Sequence, residues 1–231
     1  QSYVKLLLQR RKDKGERFVP SQFAARSHLS MIAPSTIIKE FGLLWYKNTC
    51  KEIGLQVQYD YSINKIEEDL SLSCSGVICD TRESKPWDFG QRTQISKKLD
   101  YADYCLENNP FNVFIERKEL TDWCGVMSKG YDRFRREMER AEKDNAHIII
   151  VIESKYSDIT GINFLPHTRY IKATPDFLLK RARDLMQEFA CCQMVCSQNR
   201  TGGILLANRI FNSKIDPRKI DWQYLIDTES K

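Results

Sequence analysis

Ile115-Glu116-Arg117-Lys118-Glu119-Leu120-Thr121-Asp122 is where the chain passes from an apolar run into a block of charge. The residues leading into it, 111–115, are apolar or β-favouring and predict a strand. Side chains on a strand alternate between faces, so Glu116 and Lys118 share one face and Arg117 takes the other. From Glu119 a helix is expected, with Thr121 and Asp122 in a first turn where the helix dipole favours negative charge. A carboxylate and an ammonium side by side at a strand end can bind a divalent metal and hold a phosphate oxygen against it, provided the fold brings a further acid. Read alone, the octapeptide is more simply a solvated strand-to-helix corner.

Two upstream segments supply further acids. Residues 76–79 form a short apolar run that ends in Asp80-Thr81-Arg82-Glu83, a strand with acids at its C-terminal end. Residues 98–106 alternate loosely and predict another strand, carrying Asp103. Three strands thus bring three acids and one lysine.

The ordered set resembles the XPF-type excision-repair nucleases of the PD-(D/E)xK superfamily. Their pattern is Asp-x-Arg-Glu after the first core strand, Gly-Asp-Tyr on the next, then Glu-Arg-Lys-x-x-x-Asp. Asp80-Thr81-Arg82-Glu83 matches the first, Ala102-Asp103-Tyr104 the second with Ala in place of Gly, and Glu116-Arg117-Lys118 with Asp122 the third unchanged. The resemblance covers residues 76–211, and the Ala102 departure bears only on the turn before Asp103. It implies an α/β fold, a restriction-endonuclease-like PD-(D/E)xK core with a mixed central sheet flanked by helices. It further implies a metal-dependent DNA endonuclease that hydrolyses phosphodiester bonds, on branched, flap or single-strand/duplex junction DNA in repair, recombination or replication.

The residues implied by the resemblance are these. Asp80, Asp103, Glu116 and Lys118 are the catalytic set. The three acids and the backbone carbonyl of Arg117 would gather one or two Mg2+ or Mn2+ ions, which prefer carboxylates, carbonyls and water. Arg82, Glu83, Arg117, Asp122 and Arg133 are the DNA-binding, phosphate-binding or supporting residues. Arg133-Phe134 with Glu137 is similar to an Arg-Phe followed by an acid that the family carries, which makes Arg133 a phosphate clamp. For Asp122 the residues alone favour a helix-start role, whereas the motif makes it a supporting group. Strand alternation leaves an inward direction open for Arg117. The alternatives are a catalytically silent DNA-binding scaffold of the same fold, a restriction-type sequence-specific endonuclease, and an interaction protein that works through its basic N-terminal layer. Retention of every acid and of Lys118 argues against the scaffold.

Working outward, 231 residues at 42% apolar composition suffice for one domain, or a core with one appendage. A formal charge of +5 permits a polyanion partner without requiring one. There is no apolar run of roughly 18 residues, so no membrane span is expected. Thr201-Gly202-Gly203 lacks a following Gly-Lys-Ser/Thr, so neither is a nucleotide cofactor. The resemblance leaves a homodimer or a heterodimer open. The eight cysteines form no Cys-x-x-Cys pair and read as reduced core residues of an intracellular protein, cytoplasmic, or nuclear in a eukaryote, with a viral or microbial source in view.

Residues 1–70 read as a mainly helical, basic N-terminal extension or small domain. Arg10, Arg11, Lys12, Lys14 and Arg17 surround Gly15 as a solvated tail or a phosphate contact. Ser35 is placed as the N-cap of a helix running to Gly54, and residues 56–61 as a strand. Trp87 is expected to pack its loop onto the core in preference to stacking on a base. Tyr131, Phe134, Met138 and Ala141 recur at helical spacing. Residues 147–152 form a continuous apolar run, a strand buried on both faces. A helix opens at Thr174-Pro175-Asp176 and extends to about Ala190, a short strand spans 192–196, and a helix from Arg200 ends near Phe211. The core is thus bounded at 76–211, with residues 212–231 as a C-terminal tail.

Overall fold

A computed structural model describes the chain except for residues 27–30, 64, 70, 166–170 and 230–231. The N-terminal layer holds α1 (Ser2–Asp13), α2 (Gln22–Arg26), α3 (Pro34–Phe41) and α4 (Leu43–Ile53). The single helix expected through Gly54 is broken at Gly42, whose φ of 84° lies in the region that glycine enters without a Cβ clash. Ala33, not Ser35, precedes its first residue, and Pro34 takes the opening position, where a missing N–H costs nothing. The strand expected over residues 56–61 reduces to one bridge, Phe18 with Gln56.

Six strands form one sheet: β1 (Val77–Cys79), β2 (Gln94–Ser96), β3 (Tyr104–Leu106), β4 (Val113–Lys118), β5 (His147–Ile152) and β6 (Cys192–Cys196). Their order is β2-β1-β3-β4-β5-β6. β1 is parallel to β2 and antiparallel to β3, β3 is antiparallel to β4, and β4, β5 and β6 run parallel. Parallel neighbours require crossovers, which put helices on the faces of the sheet. Between β4 and β5 run α5 (Leu120–Met127) and α6 (Tyr131–Lys143); between β5 and β6 run α7 (Tyr156–Thr160) and α8 (Pro175–Glu188). α9 (Arg200–Asn212) and α10 (Trp222–Glu229) follow β6.

The pleat of β5 sorts the core. Ile148, Ile150 and Ile152 join Phe134, Met138, Ala141, Leu178, Ala182 and Leu185 of α6 and α8. Ile149 and Val151 face the other way, with Leu206, Ala207, Ile210, Trp222 and Leu225 of α9 and α10. This two-sided cover is why every residue of β5 and β6 is buried, as the unbroken apolar run at 147–152 predicts. The chain is therefore α/β, with a mixed central sheet flanked by helices. β2, which the sequence pattern does not reveal, is a short edge strand.

Residues 222–229, inside the stretch expected as a tail, fold back as α10, with Trp222 and Leu225 fully buried. They meet the N-terminal layer through Asp221. Its carboxylate accepts the Gln22 N–H at 2.7 Å, the Tyr61 hydroxyl at 3.0 Å and the Tyr224 N–H at 3.1 Å. Tyr224 also packs with Val4, Tyr46 and Cys50 in the layer's own core.

Burial raises the Asp221 carboxyl to about 6 despite these bonds, and lowers buried His147 to about 4. A raised acid gives stability that is present below its unfolded value near 3.9 and lost as pH rises through about 6; a lowered base gives stability present above about 6.5 and lost as pH falls through about 4. The two oppose one another between pH 4 and 6. Asp221→Asn is expected to make unfolding free energy climb more steeply with pH in that window, and His147→Gln to make it climb less. Each slope should change by up to about 1.4 kcal/mol per pH unit, read from urea melts across the window.

Candidate active site

β3 runs antiparallel to β1 and β4, so its beginning lies beside their ends, and the three expected acids come to one edge of the sheet. Backbone bonds stitch them together. The Asp80 N–H donates to the Asp103 carbonyl at 2.8 Å, and the Asp103 N–H to the Ile115 carbonyl at 3.0 Å. The Arg117 N–H donates to Asp103 Oδ2 at 2.8 Å. Ala102, where the family pattern has Gly, has a φ of 53°. The turn into Asp103 thus keeps the left-handed backbone that Gly would take freely, at a strain of about 1–2 kcal/mol for an L residue.

Glu116 is buried and Asp103 half-buried, and burial pushes both carboxyls up from their ordinary values. The Lys118 ammonium contacts Glu116 Oε1 and pulls both back toward the charged form, while each acid's charge works against its neighbours. Asp80 behaves oppositely. Its Oδ1 accepts the Arg82 N–H at 2.8 Å and Arg82 Nε at 2.6 Å; its Oδ2 accepts the Leu99 N–H at 2.6 Å and Arg82 Nη2 at 3.0 Å. Burial opposes its charge, but these donors outweigh burial and hold the carboxyl at about 2. Among the described residues, no group of three or more Asp, Glu, His or Cys side chains converges to hold a metal ion. The expected trio is therefore adjacent without closing on one point, because Asp80 is turned to Arg82 and Leu99. The donors still fit a hard divalent cation by chemistry: Asp103, half-buried, and Glu116, buried, are carboxylates whose charge is relieved by a cation, here Lys118.

Arg117 is not a phosphate contact in this geometry. Its side chain, 7% exposed, points to the opposite face, as alternation allows. There its Nε and Nη2 donate to the two Glu153 oxygens at 2.9 and 2.8 Å, and Nη2 also reaches Glu119 at 2.8 Å. Glu83 lies 3.7 Å from the same guanidinium. Arg82, with 64% of its side chain exposed, is the arginine that stands beside the acids. Arg133 is exposed on α6, one turn before Glu137, whose charge acts on Glu116, Lys118 and Arg82. Asp122 is exposed in the first turn of α5 and has no hydrogen-bond partner among the described residues, the helix-start place that physics favours.

Three contributors escaped sequence reasoning: the Leu99 amide, Glu137's electrostatic role and Glu153. For Glu153 a signal existed, since β5 ends in an acid as β1 does. Trp87 is buried, as expected; it stacks on Tyr104 with ring centroids 4.9 Å apart, and its Nε1 donates to Glu153 at 2.6 Å. Of the basic cluster, Arg11 bonds Glu16, Lys12 the Gly54 carbonyl and Arg17 the Glu188 carbonyl, so these three hold the N-terminal layer in place. All eight cysteines are free, and all but Cys74 are buried.

No protein-family model and no curated protein sequence matches the chain. Among solved structures it is similar to XPF from Aeropyrum pernix in complex with DNA, at 17% identity and a TM-score of 0.46, over 60% of this chain and 63% of that one. It is also similar to a second structure of XPF from Aeropyrum pernix, at 19% identity and a TM-score of 0.44, over 58% and 64%. The chain thus spans under two thirds of the length of each. No helix among the described residues is long and apolar enough to cross a membrane.

The strained Ala102 gives a test of the turn. Ala102→Gly relieves about 1 kcal/mol of backbone strain and gives up one buried methyl worth about 0.8 kcal/mol, so stability should move by less than about 1 kcal/mol. Ala182→Gly inside α8 loses helix propensity and a buried methyl together and should cost roughly 2 kcal/mol. Urea denaturation of the two variants reads the difference.

Proposed function

We propose that this chain is a metal-dependent DNA endonuclease, with its site where β1, β3 and β4 meet. The observation that carries the reading is the part-buried pairing of Glu116 with Lys118, beside an Asp103 held by the Arg117 amide. Asp103, Glu116 and the backbone carbonyl of Arg117 would hold Mg2+ or Mn2+. Asp80 joins them once Arg82 leaves it; until then it fixes the Leu99 end of the segment that leads to Asp103. A bound metal supplies an acidified water and neutralises charge on the phosphate. Lys118 is placed to put its ammonium against that water or a phosphate oxygen. Arg82, exposed beside the acids, meets the DNA phosphate, and Arg133 flanks it from α6. The substrate class is branched, flap or single-strand/duplex junction DNA, in repair, recombination or replication.

A second reading, a DNA-binding scaffold that has lost the chemistry, draws on the saturation of Asp80 by Arg82 and Leu99. One experiment separates them. The parent, Asp103→Ala and Lys118→Ala are incubated with single-stranded, duplex, flap and forked DNAs in Mg2+, Mn2+ or EDTA. Cutting that needs metal and falls at least roughly 100-fold in both variants is the expected outcome. Binding without cutting by the parent supports the scaffold, and absence of both removes DNA from the reading.

A further inference from the structure

A buried ion network stands directly behind the acids. The Arg117 guanidinium, turned away from Glu116 and Lys118, is gripped by Glu153 through both carboxylate oxygens. The Glu153 side chain is itself only 6% exposed, and the residue's backbone N–H donates to the Lys118 carbonyl at 2.9 Å. One residue at the end of β5 therefore fixes the side chain of Arg117 and the backbone of Lys118. On a strand the direction of residue 117 sets the direction of both its neighbours. The same Arg117 presents its N–H to Asp103.

A second line leads from Glu153 to the same acid. Its Oε1 accepts Trp87 Nε1, the Trp87 N–H donates to the Tyr104 hydroxyl at 2.8 Å, and the two rings stack with planes 4° apart. Tyr104 follows Asp103 directly. α9 closes the arrangement: a Cβ on Gly203 would lie 2.9 Å from the Trp87 ring, so only a glycine there lets the indole reach its place. Arg200, at the start of α9, holds the Lys85 and Pro86 carbonyls at 2.9 and 2.7 Å, fixing the loop that carries Trp87.

We propose that Glu153 is a positioning residue for phosphodiester hydrolysis, acting through Arg117 and Trp87 to fix Asp103, Glu116 and Lys118. The proposal rests on the nuclease reading above. It places the acid outside the motif residues 80–122, directly after a strand that contributes none of the expected ligands. Charge is the essential property, because a neutral side chain at 153 cannot hold the guanidinium against the competing carboxylates of Glu83 and Glu119 and leaves residue 117 free to turn.

The test uses Glu153→Gln, which keeps the volume and an acceptor for Trp87, together with Arg117→Gln, the double variant, and Trp87→Phe. Trp87→Phe keeps an aromatic ring beside Tyr104 while removing the indole donor and part of the ring's volume, and leaves every charge in place, so it serves if the charge changes unfold the chain. On the DNA that the parent cuts best, kcat should fall about 10–100-fold in Glu153→Gln with KM within about twofold, the scale on which groups supporting a site's ligands act. The dissociation constant for that DNA in EDTA should be unchanged. The double variant should be no slower than the slower single one, because the two residues act as a unit. Trp87→Phe should lower kcat several-fold, again with KM unchanged.

Folded variants with the parent's kcat overturn the proposal, as does a loss of kcat accompanied by equal losses in KM and DNA affinity, which marks general damage. A parent that cuts none of the DNAs overturns the nuclease reading itself and this role with it. That failure is told apart from the others because the unaltered chain is inert.

Discussion

The peptide N–H of Arg117 is held by a carboxylate, and the geometry of the candidate site depends on that bond. β3 begins at Tyr104, which pairs with Ile115, so the next inward-facing amide of β4 has no strand partner on that side. A buried amide must find an acceptor, and the Asp103 side chain supplies it. An acid that would otherwise be costly to bury is thus kept in place as a substitute for a missing rung of the sheet. Glu116 and Lys118 then flank it by the pleat alone. The sheet's short, uneven strands are what put the acids there.

Four neighbouring carboxylates of one protein meet three different fates. Asp80 faces a guanidinium and amides and is held ionised; Asp103 and Glu116 face burial and one another and resist charge. Glu153, on the far side of β4, is absorbed into an ion pair with Arg117. Composition is the same in each case, and what differs is the count and direction of donors within reach. Strand alternation decides most of it, by sending Arg117 one way and Lys118 the other.

That alternation is legible in the sequence, as are the apolar run of β5, the stripe on α6 and the acids spaced through residues 80–122. Patterns that repeat over several residues survive folding because they are set by burial on a whole face. Features resting on one residue do not announce themselves. Gly42 divides two helices by a single torsion angle, inside a stretch whose apolar spacing reads as continuous. β2 is three residues long and largely exposed, so it carries no apolar signature. α10 is held by Trp222 and Leu225 among polar neighbours, and it reads as a tail until the groove between α9 and β6 is seen. At the site, the capture of Asp80 by Arg82 and the grip of Glu153 on Arg117 depend on side-chain direction and on the parallel register of β4 with β5.

The Asp221 clasp also bears on the order in which the molecule is made. Its donors, Gln22 and Tyr61, lie 199 and 160 residues earlier in the chain. As the chain is synthesised, the N-terminal layer emerges before residues 221–224, so it at first lacks the carboxylate that receives its buried hydroxyl and amide, and lacks Tyr224 to close its aromatic core. The N-terminal layer is consequently completed only when Asp221 and Tyr224 arrive. Long-range closure of this kind is slow compared with local helix formation and leaves apolar surface open meanwhile, so the first helices of this chain spend synthesis as a half-built wall waiting for its final stone.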